Sequence, residues 1–140
     1  KEAFIDEWGV KYSKDGRKLL KAPKELRRGY SVKEGTRIIC NHAFSHSSLS
    51  NIVIPDSVTD IGDYAFSDCS SLTNIVIPNS VTDIGDYAFW ECSSLTNIVI
   101  PDSATDIGNS AFEYCSSLSN IVISNSVTDI GDGAVVFYPI

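Results

Sequence analysis

The sequence predicts a β-rich solenoid of the α/β type, in which short repeats stack on one another and share one core. The phrase SVTDIGDYAF begins at Ser80, and close or altered copies begin at Ser57, Ser103 and Ser126. The copies are spaced 23 residues apart, and a fixed period of about 20–29 residues is typical of a solenoid. A unit of this length cannot bury its own apolar edge, so neighbouring copies must bury it together.

Residues 1–35 are predicted to form a basic β-hairpin cap on the array. All eleven Lys and Arg residues lie between Lys1 and Arg37, although the whole chain has a net charge of −7. Residues 8–12 and 17–21 read as two strands joined by a turn at SKDG. The hairpin would cover the first repeat, because the ends of a solenoid need capping. The positive charge has two alternative explanations: it binds a polyanion, or it only keeps the cap soluble.

Residues 36–140 are predicted to form the repeat array, with about 4.5 repeats of period 23. The cap and the array together are expected to make one structural domain. Within each repeat, the segment NIVI predicts a short strand, since its residues are β-branched and alternate in direction. Ile75 and Ile77 would then point inward, Asn74 and Val76 outward, and Pro78 would end the strand.

The second part of each repeat is predicted to return to the core and then turn. Val81 and Ile84 point inward from a second extended piece, and Gly85 is expected to allow a bend that a side chain would strain. The segment DYAFWECSSL then predicts one or two helical turns. Its inward positions are Ala88, Phe89 and Cys92.

The segment SSLTNIVIPNSVTDIGDYAFSDC resembles the BspA-type leucine-rich repeat of bacterial and some protist surface proteins. The resemblance covers residues 36–134, and the segment beginning WGVKYSKDG resembles the start of such arrays. It implies a leucine-rich-repeat solenoid with a curved parallel sheet on one side and short helical turns on the other. The chain departs from the commoner leucine-rich pattern at the asparagine position, where serines such as Ser57 and Ser80 lie closest.

The same resemblance implies a non-enzymatic binding module, cell-surface or secreted, that adheres to host matrix proteins, mucins or other cells. The alternative is a structural spacer that presents another domain and has no ligand of its own. The chain begins at Lys1 and contains no run of about 18 apolar residues, so we expect any targeting signal to lie outside this sequence.

The outward residues of the strands are the predicted binding face for a protein or glycan ligand. They form an asparagine stripe beside a valine stripe on the expected concave side, and exposed apolar lines of this kind often mark contact sites. The residues are Asn51, Val53, Asn74, Val76, Asn97, Val99, Asn120 and Val122. The alternative is the convex side, where Trp90 and Tyr114 could stack on a sugar or a protein partner.

The sequence gives little support for catalysis or for the binding of a metal or cofactor. The residues in CNHAFSH could form part of a metal site, but three ligands from one turn lack a fourth partner, and the repeat alignment explains each position. No cofactor and no nucleic acid partner are expected, because residues 38–140 contain no Lys or Arg. The four cysteines are predicted to be unpaired, and three of them buried: Cys69, Cys92 and Cys115.

Two further features leave alternatives open. Columns of aspartates, including Asp60, Asp83 and Asp106, either bind cations or are simply solvated. The last copy ends AVVFYPI without an evident cap, which predicts self-association through this edge or a truncated natural array.

Overall fold

The computed structural model describes residues 3–123 and 126–134, and it shows a parallel β-solenoid. The strands are short because each coil of the solenoid turns after two to four residues. They are β1 Phe4–Ile5, β2 Lys11–Tyr12, β3 Lys18–Lys21, β4 Gly29–Ser31, β5 Ile38–Ile39, β6 Asn51–Val53, β7 Asp60–Ile61, β8 Asn74–Ile75, β9 Asp83–Ile84, β10 Asn97–Val99, β11 Asp106–Ile107, β12 Asn120–Val122 and β13 Asp129–Ile130.

One eight-stranded sheet runs from the cap to the last described coil, in the order β1-β2-β3-β5-β7-β9-β11-β13. Strands β1, β2 and β3 pair antiparallel, which confirms the predicted hairpin cap. From β3 onward the pairing is parallel, and each residue lies beside its counterpart one repeat away, as in Asp60 beside Asp83. The second extended piece of each repeat therefore builds the continuous sheet.

The NIVI segments build the other side of the coil, and their sheet is interrupted. Strands β4, β6 and β8 form one sheet and β10 and β12 another. Just before the strands, further backbone bonds join the same pairs of coils. The amide of Thr73 donates to Ser50 O at 3.1 Å, and the amide of Ser119 donates to Thr96 O at 3.0 Å. Among the described residues no hydrogen-bonded pairing joins β8 to β10, although the two strands remain in contact.

The predicted helical turns are wrong: the described residues contain no helix. In their place are turns in which successive backbone amides bond alternately within their own coil and to the next coil. The amide of Trp90 donates to Tyr87 O within the coil at 3.2 Å, whereas the amide of Phe89 donates to Ala111 O of the next coil at 2.8 Å. An α-helix would need every amide to bond four residues back. The inward pattern at Ala88, Phe89 and Cys92 fits either arrangement, which is why it suggested a helix.

A column of phenylalanines fills the core. Phe44, Phe66, Phe89 and Phe112 are fully buried, and consecutive rings stack with centroids 5.1–5.2 Å apart. This spacing is close to the distance between neighbouring strands, about 4.8 Å. Identical rings therefore pack face to face once the repeats are in register.

The four cysteines are free, as predicted, and three of them are buried. The thiol of Cys69 donates to Phe44 O at 3.0 Å, and that of Cys92 donates to Phe66 O at 3.1 Å. Burial raises the pKa of the Cys69 thiol to about 12, so the thiol stays protonated at neutral pH. These cysteines act as small apolar side chains that also satisfy backbone carbonyls.

The repeated glycine has a different role from the predicted bend. Gly85 has no positive φ, but a Cβ at this position would lie 2.6 Å from the backbone nitrogen of Asp63. The carboxylate of Asp63 accepts the amide of Asp86 at 2.9 Å, and that of Asp86 accepts the amide of Asn109 at 2.8 Å. The glycine allows the coils to approach closely enough for this ladder of side chains to form.

The ladder starts at Asn41, whose Oδ1 accepts the amide of Asp63 at 2.8 Å, and it continues to Asp132. The serines that lie closest to the asparagine position of the commoner leucine-rich pattern are not part of this ladder. Two of those serines do bond to neighbouring coils: Ser57 accepts the amide of Gly35 at 3.2 Å, and Ser103 donates to Val81 O at 2.7 Å.

A buried polar cluster holds the cap together. The hydroxyls of Tyr12 and Tyr30 lie 2.6 Å apart, and Tyr30 donates to the carboxylate of Asp6 at 2.5 Å. The Tyr12 hydroxyl also accepts the amide of Lys33 at 3.0 Å. Burial raises the pKa of both tyrosines, and because every hydroxyl has a partner, the cluster does not carry the cost of unsatisfied polar groups.

Two further points complete the architecture. Within the described residues, no helix is long and apolar enough to cross a membrane. The predicted self-association through the C-terminal edge rests on the segment AVVFYPI, of which residues 135–140 lie outside the described residues.

Candidate functional site

The strand face predicted to bind a ligand lies at the surface. The four valines of this face, Val53, Val76, Val99 and Val122, form what we call the valine row. Their exposed fractions are 61%, 78%, 60% and 57%. They are exposed because the isoleucines between them, including Ile52, Ile75 and Ile98, point into the core.

The asparagines beside the valine row are also exposed. These residues are Asn51, Asn74, Asn97 and Asn120. The side-chain amide of Asn120 donates from Nδ2 to Oδ1 of Asn97 at 3.2 Å. At the cap end of the row, Gly29 replaces an asparagine, because a Cβ there would lie 2.4 Å from Oδ1 of Asn51. The face therefore offers amide donors and acceptors without a formal charge.

A groove of about 720 Å³ runs along this face, and we call it the valine groove. It is lined by residues of three repeats, among them Val53, Val76, Val99, Asn74 and Asn97. It spans the place where the pairing between β8 and β10 is interrupted. Asp56 lies on its rim and is its one ionisable lining residue within the described part of the chain. The groove is thus mainly aliphatic, with amides and one carboxylate.

The alternative aromatic site is larger than the sequence suggested. Trp90 lies edge-on to Tyr87 and to Tyr114, with ring centroids 6.3 and 5.8 Å away. Tyr87 in turn stacks on Tyr64 at 4.9 Å, and Tyr64 stacks on His42 at 4.7 Å. His42, Tyr64 and Tyr87 were not predicted from the sequence as members of this surface. Their shared position in consecutive repeats was the signal that could have identified them.

A second depression lies beside these aromatic rings, and we call it the turn pocket. It has a volume of about 380 Å³, and its rim includes Lys21, Lys24, His42, His46, Tyr64 and Trp90. Ser45 and Ser67 also line it and are buried, so they form its bottom. The pocket thus combines cationic, aromatic and hydroxyl groups.

The suggested metal ligands do not form a cluster. His42 stacks on Tyr64, and Nδ1 of His46 lies 2.7 Å from a carboxylate oxygen of Asp68. In the parts of the chain that the structure describes, no group of three or more potential ligands could hold a metal ion.

The column of aspartates lies on the exposed side of the eight-stranded sheet. Asp83 is paired in register with Asp60 and Asp106. Desolvation, together with these two neighbouring carboxylates, raises the pKa of Asp83 above its ordinary value of 3.8. The column is therefore a source of repulsion within the fold.

The family described as "BspA type Leucine rich repeat region" matches residues 37–138 in six copies. The chain belongs to the BspA-type leucine-rich-repeat family. A comparison with curated proteins finds no match.

Solved leucine-rich-repeat structures resemble this BspA-type chain over nearly its whole length. The leucine-rich-repeat protein of T. pallidum is 30% identical with a TM-score of 0.77, over 95% of this chain and 62% of that one. A leucine-rich cell surface protein from Faecalibacterium prausnitzii is 30% identical with a TM-score of 0.60, over 91% and 40%.

The pneumococcal vaccine antigen PcpA shares 24% identity and a TM-score of 0.84, over 97% of this chain and 36% of that one, a likeness that shows the fold alone. This BspA-type chain thus spans less than two thirds of the length of each of these three structures.

Proposed function

We propose that this BspA-type array is a non-enzymatic binding module, cell-surface or secreted, that holds a protein or glycan partner against the valine row. Adhesion to a host matrix protein, to mucin or to another cell is the function that we infer for the parent protein. The similarity to a leucine-rich cell surface protein, at 30% identity, supports this location.

The exposure of the valine row is the observation that carries the proposal. Folding does not require these side chains, because Ile75 and Ile77 already supply the buried face of the strand. Covering one exposed valine stabilises a complex by about 1 kcal/mol. A row that crosses four repeats, beside a groove of about 720 Å³, therefore gives a partner a continuous apolar contact.

The composition of the valine groove supports binding without catalysis. Its lining consists mainly of aliphatic side chains, amides and prolines, with Asp56 as its ionisable group. General acid–base or nucleophilic catalysis would need a second titratable group or an activated nucleophile beside it. The lining instead provides apolar area and neutral hydrogen-bonding groups.

The proposal is tested with a double variant that places charge on the valine row. Val76→Glu with Val99→Glu should leave the fold intact, since both side chains are exposed. It should weaken binding to any partner found on an array of extracellular-matrix proteins, mucin and glycans by about tenfold or more. Surface plasmon resonance against the captured partner measures the change.

Two further variants make the result specific. Ser71→Glu with Ser117→Glu adds the same charge at exposed turn positions outside the strand face and should change binding little. Trp90→Ala with Tyr114→Ala tests the aromatic side. A loss of binding only in this last variant would reject the valine row as the site, and the absence of any partner on the array would favour the spacer.

A further inference from the structure

The turn pocket is built from three successive repeats and the cap. Lys21 and Lys24 come from the cap, His42 and His46 from the first repeat, and Trp90 from the third. Three steps between neighbouring strands separate β3 from β9, which corresponds to about 14 Å. The pocket is therefore long enough for two linked sugar rings.

The shape of the pocket follows from one change between repeats. Ser45, Ser67 and Trp90 occupy equivalent positions, so two small residues are followed by a large one. Ser45 and Ser67 are buried, and their hydroxyl oxygens lie 2.9 Å apart. The indole of Trp90 then closes the end of the depression that the serines leave.

The cap end of the pocket carries positive charge. Nζ of Lys21 donates to His42 O at 2.8 Å, which fixes the ammonium beside the pocket and leaves it two further donors. Within the described residues, neither Lys21 nor Lys24 has a carboxylate partner, because the one salt bridge found there joins His46 to Asp68. Two cations without counter-ions favour an anionic group on the ligand.

The opposite end of the pocket carries aromatic surface. Trp90 is held perpendicular to Tyr87 and Tyr114, at interplanar angles of 77° and 81°. An indole offers a flat apolar surface with a polar N–H, which suits a ring that carries both C–H and O–H groups. Between the two ends, the exposed imidazoles of His42 and His46 add hydrogen-bonding groups. The serine hydroxyls form the bottom of the pocket and bond to each other and to Tyr64 O.

We propose that the turn pocket binds an acidic disaccharide unit of a glycan. The carboxylate of its terminal sugar meets Lys21 and Lys24, and the next ring lies against Trp90. This site is separate from the valine row, so its test uses a defined probe. A partner captured on the array is assigned to the valine row only when Val76→Glu with Val99→Glu weakens its binding. An extended acidic peptide fits less well, because the pocket closes at Trp90 and presents no strand edge for a peptide backbone.

The test uses 3′-sialyllactose as the acidic probe and lactose as its neutral counterpart. Addition of 3′-sialyllactose should shift the indole N–H signal of Trp90 in a saturable way, while the signal of Trp8 stays in place. Lactose should leave both signals unchanged. A hexaglutamate peptide and acetate serve as anions without a sugar ring.

Variants then locate the contacts by calorimetry. Lys21→Gln with Lys24→Gln should weaken binding of 3′-sialyllactose by about tenfold or more, as expected for the loss of charge-assisted contacts. Lys14→Gln with Lys33→Gln removes the same charge from other turns of the cap and should leave affinity within about twofold. Trp90→Ser copies the residue found at Ser67, so it preserves the fold and should also weaken binding about tenfold.

Three results would overturn the proposal. The first is the absence of a saturable shift at Trp90 with 3′-sialyllactose. The second is equal loss of affinity in the two lysine pairs, which would indicate general attraction between charges. The third is an equal or larger response to hexaglutamate or acetate, which would remove the sugar from the assignment.

Discussion

At the scale of single residues, the backbone of the turns is the unexpected feature. Within the part of the chain that the structure describes, eight residues other than glycine have a positive φ, at two fixed positions of the repeat. They are His42, His46, Tyr64, Asp68, Tyr87, Glu91, Ser110 and Tyr114. The left-handed conformation costs roughly 1–2 kcal/mol for a residue with a Cβ. Gly133, with φ of 67°, occupies the position of Tyr87 and avoids this cost.

Replacing Glu91 with glycine should therefore stabilise the array. Glu91 has φ of 57°, and its backbone amide keeps its bond to Glu113 O after the change. The relief of strain exceeds the extra entropy of glycine in the unfolded chain, so we expect a gain of about 0.5–1 kcal/mol in the free energy of unfolding. Urea denaturation measures it.

The matched control is Glu113→Gly in the next repeat. Glu113 is not among the described residues with positive φ, so the same substitution should cost about 0.5–1 kcal/mol. Equal effects of the two substitutions would contradict the account of strain.

At the scale of elements, the eight-stranded sheet brings like charges together. Parallel pairing in register sets Asp83 directly between Asp60 and Asp106. Because desolvation and these neighbours raise the pKa of Asp83, the folded protein holds a proton there more tightly than the unfolded chain. Stability from this group is fully present below pH 3.8 and is lost as the pH rises through the raised value.

The variant Asp83→Asn should remove this loss. It keeps the shape of the side chain and should raise the free energy of unfolding at pH 7 by about 0.2–1 kcal/mol, the size of a cross-strand charge pair. The gain should vanish near pH 3, where the carboxyl is protonated. Thermal melts between pH 3 and 7 record it. A gain of the same size from Asp102→Asn, an exposed position outside the column, would show that net charge alone is responsible.

The sequence predicted the strands correctly and the helical turns wrongly, for a physical reason. The strands at Ile75 and Ile84 were predictable because alternation of apolar residues reports a pleated backbone directly. The prediction of a helical turn around Phe89 was wrong because the same spacing of inward residues fits another backbone. In that backbone, amides bond alternately within their own coil and to the next coil. Hydrogen bonds to another repeat leave no mark on local periodicity.

The candidate site shows the same division. The exposure of Val76 and Asn74 followed from strand alternation and is confirmed by the structure. The interruption between β8 and β10 and the closure of the turn pocket by Trp90 depend on how whole coils pack, so no short stretch of sequence encodes them. The boundary at residue 36 stays a prediction.

At the scale of the whole molecule, stability is shared between neighbouring repeats. Phe89 is fully buried and stacks on Phe66 and Phe112, at 5.1 and 5.2 Å. Phe89→Ala should cost about 3–5 kcal/mol. The loss should extend to both adjacent coils, because each depends on the next for its core. Hydrogen exchange at the amides of Ile61 and Ile107 reports the spread.

The matched control for this prediction is Phe4→Ala at the cap. Phe4 is partly buried and stacks on Tyr12 at 5.3 Å, at the cap end of the sheet, so its loss should raise exchange near the cap and leave Ile107 protected. Unchanged thermal stability in Phe89→Ala would refute the shared core.

The register of the solenoid also bears on how such a gene can change in length. Along the parallel part of the eight-stranded sheet, each strand residue from β5 onward lies beside its own counterpart in the next coil, as Ile61 lies beside Ile84 and Ile84 beside Ile107. A duplication of one whole unit therefore creates junctions of a kind that the protein already contains. A shift of one residue would turn each strand over and expose its core face. Recombination between near-identical units is thus tolerated in steps of one repeat. The number of repeats can change because each new junction between coils is of a kind that the protein already contains.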